Sequence, residues 1–233
     1  MPMRRSSAGP MAKPGSAPLS GAPRYEQYEQ QGSRNPLVRA LMARFYRDLD
    51  ELVDRASPSS VLEVGAGGGR VARHVAASRD LEVVVAADVD RALIAHYREA
   101  TPPVPFQVAD IAALPYADQA FDLVLAIEVL EHLPLPEAAL REILRVGCQA
   151  IVSVPREPLW RLLNLVRLAY LRDRGNTPGH IQHWSVAGFV ELLRPHMQVR
   201  EVRTPLPWTM VLGEGPRGAA GGLGPVGASW DAG

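Results

Sequence analysis

Between residues 61 and 154, short apolar segments alternate with segments of helical periodicity, and this alternation restricts the possible folds most strongly. Strands are predicted at 61–64, 81–87, 106–108, 121–127 and 150–154. The intervening helices are predicted at 70–77, 91–100 and 135–146. Strands that are apolar at nearly every position are typical of a parallel sheet covered by helices on both faces. The sequence therefore predicts a doubly wound α/β fold.

An N-terminal helix is predicted to pack on this layered core. It begins at Asn35-Pro36, where proline suits the first turn, and ends near Arg55. Apolar residues on one face form its predicted buried stripe: Leu37, Leu41, Phe45, Leu49 and Leu52. The helix is expected to cover one side of the ligand pocket.

The C-terminal third departs from the alternation. A basic amphipathic helix is predicted at 159–172, a polar loop at 176–184, and a helix through residue 193 with Ser185 as its cap. Strands predicted at 198–203 and 208–212 are joined by a short turn, which makes them antiparallel neighbours. In total the pattern predicts a seven-stranded sheet, mostly parallel, with one antiparallel strand near the C-terminus.

Composition indicates one domain between two unstructured ends. Residues 1–24 are rich in Pro, Ser, Gly and Ala, and residues 213–233 are rich in Gly, so both are predicted to be disordered. Residues 25–212 form the predicted single domain.

Charge and cysteine content exclude several classes of protein. The 25 basic and 25 acidic residues balance, so no basic surplus indicates a nucleic-acid partner. Cys148 is the only cysteine, which excludes an internal disulfide and favours a reducing compartment, here interpreted as the cytoplasm. No apolar run approaches the roughly 18 residues typical of a membrane span, so stable membrane insertion is not expected.

The first strand runs directly into a glycine-rich turn and then a helix, the arrangement that binds ligands through backbone amides. Such a turn also occurs for purely conformational reasons. The dinucleotide fingerprint Gly-x-Gly-x-x-Gly requires glycine at position 70, which is Arg70 here. A nicotinamide-dependent oxidoreductase is therefore disfavoured.

Two acids follow the second strand. Asp88 closes it, where a carboxylate can accept hydrogen bonds from both hydroxyls of a ribose, although a turn role would also explain it. Asp90 is predicted to cap the next helix.

The positions of Glu63, Gly65, Gly67 and Gly69 resemble the Glu/Asp-x-Gly-x-Gly-x-Gly motif of the class I S-adenosylmethionine (SAM)-dependent methyltransferases. The resemblance implies a Rossmann-like fold and SAM as the cofactor. It further implies that the loop wraps the methionine part of SAM and that Glu63 helps to order its amino group.

Further cofactor residues follow from the same resemblance. Asp88 would bind the ribose, with Ala66 and Val89 beside it, while Asp110 would accept from the adenine amine and Ile111 would pack on the ring. A loop role for the last two remains an alternative.

The segment 127–132 is similar to the small-molecule methyltransferases that include the ubiquinone and menaquinone biosynthesis enzymes. Glu128 is assigned from it to the cofactor site. An Asn/Asp-Pro-Pro-Tyr signature is absent after the fourth strand, so nucleobase amino groups are not expected acceptors. The usual Pro-Gly-Gly turn before the fifth strand is replaced by residues 146–149, which is expected to alter the loop there but not the SAM site.

Three histidines are the candidate catalytic residues, because a hydroxyl acceptor must lose its proton and a neutral histidine suits that task near pH 7. His132 follows the fourth strand, and packing or capping would also explain it. His180 and His183 lie in the polar loop and are assigned to the acceptor side.

A metal remains an open alternative, and none is assigned. Glu128, Glu131 and His132 would share a helix face, and some quinone-pathway relatives use this arrangement for a divalent cation. An exposed acidic helix start explains the same residues. For His180 and His183, no third ligand is evident nearby in the sequence.

Together these features predict a SAM-dependent methyltransferase that acts on a small, lipophilic or secondary-metabolite acceptor, at oxygen. The alternatives are a C-methyltransferase of the quinone-pathway type and a non-catalytic SAM-binding regulatory module. The helix at 159–172 is interpreted as a lid over the acceptor, with membrane contact as its alternative. The oligomeric state is left open.

Overall fold

The computed structural model describes residues 35–100, 104–166, 177 and 179–215. Six α-helices lie in these ranges: α1 (Pro36–Ala56), α2 (Arg70–Ser78), α3 (Arg91–Ala100), α4 (Pro136–Val146), α5 (Leu159–Val166) and α6 (Val186–Leu193). The strands are β1 (Ser60–Val64), β2 (Val83–Asp88), β3 (Phe106–Val108), β4 (Phe121–Ile127), β5 (Gly147–Pro155), β6 (Gln198–Arg203) and β7 (Trp208–Glu214). A short 3-10 turn, Leu130–His132, follows β4.

The seven strands form one sheet in the order β3-β2-β1-β4-β5-β7-β6. β7 runs antiparallel to both of its neighbours, while β1 to β5 pair in parallel. The predicted fold class is therefore confirmed, including the single antiparallel strand. Because the chain leaves β1 toward β2 on one side and returns to β4 on the other, the carboxyl ends of these strands flank the crevice where open α/β sheets bind ligands.

Helices bury both faces of the sheet, since successive strand residues point to opposite sides. On one face α4 and α6 contribute Leu140, Ile143 and Phe189 to a core that includes Leu62 and Val124 of the strands. On the other face, α1 packs against β1, β4, β5 and β7 through buried apolar residues that include Phe45, Leu49 and Leu52.

The buried apolar face predicted for α1 is wrong at Leu37, its first residue. Leu37 is 63% exposed, whereas Leu41 packs partly buried on the core. The stripe that packs on the core therefore begins at Leu41. Its start was predicted correctly, since the Asn35 side chain accepts from the Leu37 N–H and Pro36 occupies the first turn.

Several strand boundaries also differ from the prediction, among them the start of β5 and the end of β7. β5 begins at Gly147, three residues early, because α4 passes into it without a connecting turn. A Cβ on Gly147 would lie 2.6 Å from Val124 Cγ2, so the chain passes closely over β4 there. β7 continues to Glu214, two residues past the predicted end of the domain.

Other predictions concern parts of the chain outside the described residues. These are the N-terminal segment 1–24, the tail from residue 216 onward, and the end of the helix predicted to reach residue 172. Among the described residues, no helix has the length and apolar character needed to cross a bilayer.

Candidate cofactor site and acceptor corner

The loop after β1 adopts the left-handed backbone that its glycine spacing predicted. Gly65, Gly67 and Gly69 have φ angles of +64°, +53° and +64°, values that side chains of L-residues rarely tolerate. A Cβ on Gly65 would lie 2.5 Å from Val129 Cγ2, and one on Gly69 would overlap the Phe106 ring. The three glycines therefore allow the turn, and Gly69 and Gly65 allow its close packing against β3 and the segment after β4.

Asp88 at the end of β2 joins this loop directly. Its Oδ2 accepts from the Gly67 N–H at 2.8 Å, and its Oδ1 accepts from the Asp90 N–H at 2.9 Å. Each carboxylate oxygen has a second lone pair, so this buried group keeps acceptor capacity for a hydroxyl. Asp90 caps α3, as predicted, by accepting from the N–H groups of Ala92 and Leu93.

Glu63 lies beneath the loop. Its Oε2 accepts from the Ala72 N–H of α2 at 2.8 Å, and the side chain is buried. Desolvation raises the pKa of Glu63 to about 8, against the lowering effects of the Ala72 hydrogen bond and of Arg73. The observed contact therefore fastens α2 to β1, while the contact with the SAM amino group stays a prediction.

The remaining predicted cofactor residues lie at the carboxyl ends of β2 and β3. Val89 is 68% exposed beside Asp88, an unusual place for an apolar side chain. Asp110 is exposed and its Oδ1 accepts from the Ala112 N–H, while Ile111 is half-buried against the core. An apolar surface next to acceptor oxygens fits an adenosine moiety.

Glu128 departs from the predicted arrangement. Its φ is +58°, and this left-handed residue separates β4 from the 3-10 turn, so it does not share a helix face with Glu131 and His132. Its Oε1 accepts from Ser153 Oγ at 3.0 Å and its Oε2 from Trp208 Nε1 at 3.0 Å. The shared helix face on which the open alternative of a cation site was based is therefore absent at residues 128–132.

A polar group that we call the acceptor corner forms beyond β4 instead. It consists of Glu131, His132 and His180, whose potential ligand atoms all lie within 4.8 Å of one another. The rings of His132 and His180 are 4.9 Å apart in an edge-to-face arrangement. The sequence predicted each histidine separately, but not that they meet.

Backbone hydrogen bonds hold the polar loop against the turn after β4. The Glu131 carbonyl accepts from the N–H groups of Ile181 and Gln182, at 2.9 and 3.1 Å. His132 Nδ1 lies 2.9 Å from the Gly179 carbonyl oxygen. These contacts on either side of His180 hold its backbone next to the turn after β4.

Aromatic side chains pack next to His180. The Trp160 ring of α5 stacks on the buried His180 ring at 6.1 Å, and Trp160 Nε1 donates to Thr177 Oγ1 at 2.9 Å. Trp208 lies 6.1 Å from Trp160 on the other side. Sequence reasoning missed Trp208 as part of this region.

The Glu131 side chain is 1% exposed, and among the described residues neither of its carboxylate oxygens has a hydrogen-bond partner. Desolvation, together with the nearby charge of Glu128, raises the pKa of Glu131 well above its usual value. A buried carboxyl without partners is costly, which marks this position as more than a packing residue.

His183 is not part of the acceptor corner. Its electrostatic neighbours are Arg161 and Glu157, and burial, followed by the Arg161 charge, lowers the pKa of His183. Of the three predicted catalytic histidines, the structure brings together His132 and His180.

The strand order, the left-handed glycine loop and the acid closing β2 define the class I SAM-dependent methyltransferase fold. Residues 62–149 of this chain match the family described as a methyltransferase domain. The fold also resembles that of magnesium protoporphyrin IX methyltransferase from Synechocystis, with a TM-score of 0.59, 15% identity, and coverage of 83% of this chain and 93% of that one.

Curated relatives agree with the class. A probable SAM-dependent methyltransferase of Mycolicibacterium smegmatis is 32% identical over 61% of this chain and 52% of its own length. Ajmaline N-methyltransferase of Rauvolfia serpentina is 37% identical over 42% of this chain and 35% of its own length. A 27-O-demethylrifamycin SV methyltransferase of Amycolatopsis mediterranei is 34% identical over 37% of this chain and 34% of its own length. The chain spans about half the length, or less, of these relatives.

The family match and the relatives indicate SAM as the cofactor, and the observed geometry fits it. Gly65, Gly67 and Gly69 leave the loop backbone free of side chains, while Asp88 and the exposed Val89 offer acceptors and an apolar surface at the carboxyl edge of the sheet. These residues, with Ala66, Asp110 and Ile111, would hold the cofactor.

Proposed function

We propose that the protein transfers the methyl group of SAM to an oxygen of a small, lipophilic acceptor, and that His132 removes the proton from that oxygen. The observation that carries the proposal is the hydrogen bond between His132 Nδ1 and the Gly179 carbonyl. Bound SAM supplies an electrophilic methyl group on a positively charged sulfur.

The Gly179 contact determines which nitrogen of His132 can act as a base. A carbonyl oxygen only accepts hydrogen bonds, so Nδ1 must carry the hydrogen in this contact. In the neutral ring Nε2 is then unprotonated and free to accept a proton. His132 is exposed and Gly179 belongs to the loop clamped on Glu131, so an acceptor in the open crevice would reach an oriented base.

Exposed apolar residues beside the acceptor corner support a lipophilic acceptor. Leu162 of α5 is 57% exposed and Ile181 of the loop is 56% exposed. Ile181 follows His180 directly in the loop, and Leu162 belongs to α5, the helix whose Trp160 stacks on His180. A ligand placed there would bury them and exclude water from the reacting oxygen, which strengthens polar interactions in the site.

The relatives support a small-molecule acceptor, although two of their names differ in the methylated atom, one nitrogen and one oxygen. Oxygen is favoured here because a hydroxyl needs the base that His132 offers. Carbon methylation and a SAM-binding role without catalysis are the competing interpretations. With no net charge on the chain, we do not propose nucleic acid as the substrate.

The test is a methylation assay with labelled SAM and a panel of phenols, aliphatic alcohols, amines and quinol analogues, with products identified by mass spectrometry and NMR. A methoxy product is expected, and His132→Ala should lower kcat at least 100-fold with the affinity for S-adenosylhomocysteine unchanged within twofold. His196→Ala is the matched control, since this histidine lies between α6 and β6 and is not one of the three residues of the acceptor corner. A C-methyl or N-methyl product, or an unimpaired His132→Ala variant, would overturn the oxygen assignment or the base assignment.

A further inference from the structure

The acceptor corner has the composition of a metal site rather than of a proton relay alone. Glu131 and His132 are adjacent in the turn after β4, whereas His180 comes from the loop that follows α5. Their potential ligand atoms lie within 4.8 Å of one another. A tetrahedral cation with bonds of about 2.1 Å holds its ligands roughly 3.4 Å apart, so modest side-chain rotations would complete the site.

The Glu131 carboxylate is the strongest observation. It is 99% buried, given its 1% exposure, and neither oxygen has a hydrogen-bond partner among the described residues. Buried carboxylates are normally hydrogen-bonded, paired or bound to a metal. A cation between Glu131 and the two imidazoles would satisfy both the charge and the oxygens of this side chain.

His132 is already oriented as metal-binding histidines are. A ligand histidine typically donates its second ring N–H to a backbone carbonyl or a carboxylate, which fixes the ring and its tautomer. His132 Nδ1 has this contact with the Gly179 oxygen at 2.9 Å, which leaves Nε2 for the cation. The loop that supplies His180 is held by two backbone hydrogen bonds to Glu131.

We propose that Glu131, His132 and His180 bind a divalent transition-metal ion of the zinc type. Two imidazoles and one carboxylate favour Zn²⁺, Co²⁺ or Fe²⁺ over Mg²⁺ and Ca²⁺, which prefer oxygen ligands. Three protein ligands leave a coordination position open. Glu128 is not a ligand in this site, because Ser153 and Trp208 hold its carboxylate.

Metal binding goes beyond the proposed methyl transfer, and it uses the same His132 nitrogen that the proposed function uses as a base, so the two roles belong to the metal-bound and the metal-free protein, respectively. With a cation on Nε2, His132 no longer accepts a proton. A hydroxyl bound at the open position would instead lose its proton to solvent more readily, because the cation lowers its pKa. The same corner thus offers a second route to the acceptor oxyanion.

Cobalt is the appropriate probe because its visible absorption reports the ligand set. The untagged 233-residue chain, stripped with a chelator, is titrated with Co²⁺ and, by calorimetry, with Zn²⁺ and Mg²⁺. We expect one Co²⁺ per chain with a four- or five-coordinate spectrum, displacement by Zn²⁺, and no binding of Mg²⁺ below millimolar concentration.

Metal affinities of variants test which residues bind the cation. Glu131→Gln and His180→Ala should each weaken Zn²⁺ and Co²⁺ binding at least tenfold, whereas His183→Ala and Cys148→Ser should not change it. Circular dichroism and S-adenosylhomocysteine binding show that each variant is folded. Absence of Co²⁺ and Zn²⁺ binding to the folded wild-type chain, or unchanged affinity in both Glu131→Gln and His180→Ala, overturns the proposal. Neither result bears on methyl transfer, which is measured separately.

Discussion

The Asp88 carboxylate accepts a hydrogen bond from the Gly67 backbone N–H at 2.8 Å, so the acid that ends β2 is fastened to the loop that follows β1. This contact brings the predicted ribose acceptor to the predicted methionine loop.

Replacing Asp88 by Asn should weaken binding of S-adenosylhomocysteine at least tenfold. The variant loses the negative charge and one acceptor oxygen, and hydrogen bonds to charged groups contribute roughly 1.5–3 kcal/mol. Isothermal titration calorimetry measures the change. Asp90→Ala is the matched control: it removes the α3 cap and should cost about 1 kcal/mol of stability without changing the affinity more than twofold. Equal effects of the two substitutions would contradict the assignment of Asp88.

Gly69→Ala should destabilise the fold and impair cofactor binding. A left-handed backbone costs a residue with a Cβ about 1–2 kcal/mol, and at φ +64° the new methyl group would also overlap Phe106. Gly68→Ala is the control, because the φ of Gly68 is not positive. Thermal unfolding should show a clearly larger loss of Tm for Gly69→Ala, and similar Tm values for the two variants would be inconsistent with this account.

The stability of the domain should fall as pH rises from about 4.5 to about 8. Desolvation raises the pKa of Glu63 from 4.5 to about 8, so within this window the folded chain retains a proton that the unfolded chain has released. Its contribution to the slope is at most roughly −1.4 kcal/mol per pH unit, and it vanishes above the folded pKa. Denaturant unfolding at several pH values measures the slope. Glu63→Gln should remove this component, so an identical pH profile in wild type and variant would exclude Glu63 as its source.

Trp208→Phe should lower stability by about 1–3 kcal/mol. The substitution keeps an aromatic ring in the core but removes the N–H that donates to Glu128 Oε2. Ser153→Ala removes the donor to Oε1, and the double variant should show coupling because both donors serve one carboxylate. Chemical denaturation measures all three variants. Strict additivity would show that the two contacts act independently.

Local features of the sequence were sufficient to predict the strands, the helices and the glycine loop. Strand and helix positions follow from apolar periodicity, and the caps at Asn35, Asp90 and Ser185 follow from side chains that bond their own neighbouring N–H groups. The alternating glycines of the loop follow from a backbone conformation that a side chain would oppose. Each of these preferences acts within a few residues, which is why a single sequence reveals them.

The contacts of the acceptor corner could not be predicted from the sequence, because they join residues that meet only in the tertiary structure. His132 and Gly179 are 47 positions apart and Glu128 and Trp208 are 80 apart, so their contacts depend on the path of the connecting chain. The left-handed backbone of Glu128 turns its carboxylate toward β5 and β7, and the loop clamped on Glu131 brings His180 into its place.

The sequence by itself therefore determined the seven-stranded α/β fold and the left-handed glycine loop after β1, because apolar burial and local backbone preference depend on neighbouring residues. Only the tertiary structure decided that His180 joins Glu131 and His132, and that His183 and Glu128 do not. Contacts between distant segments arise from loop paths and long-range backbone hydrogen bonds, which leave no periodic signal in the residues that make them.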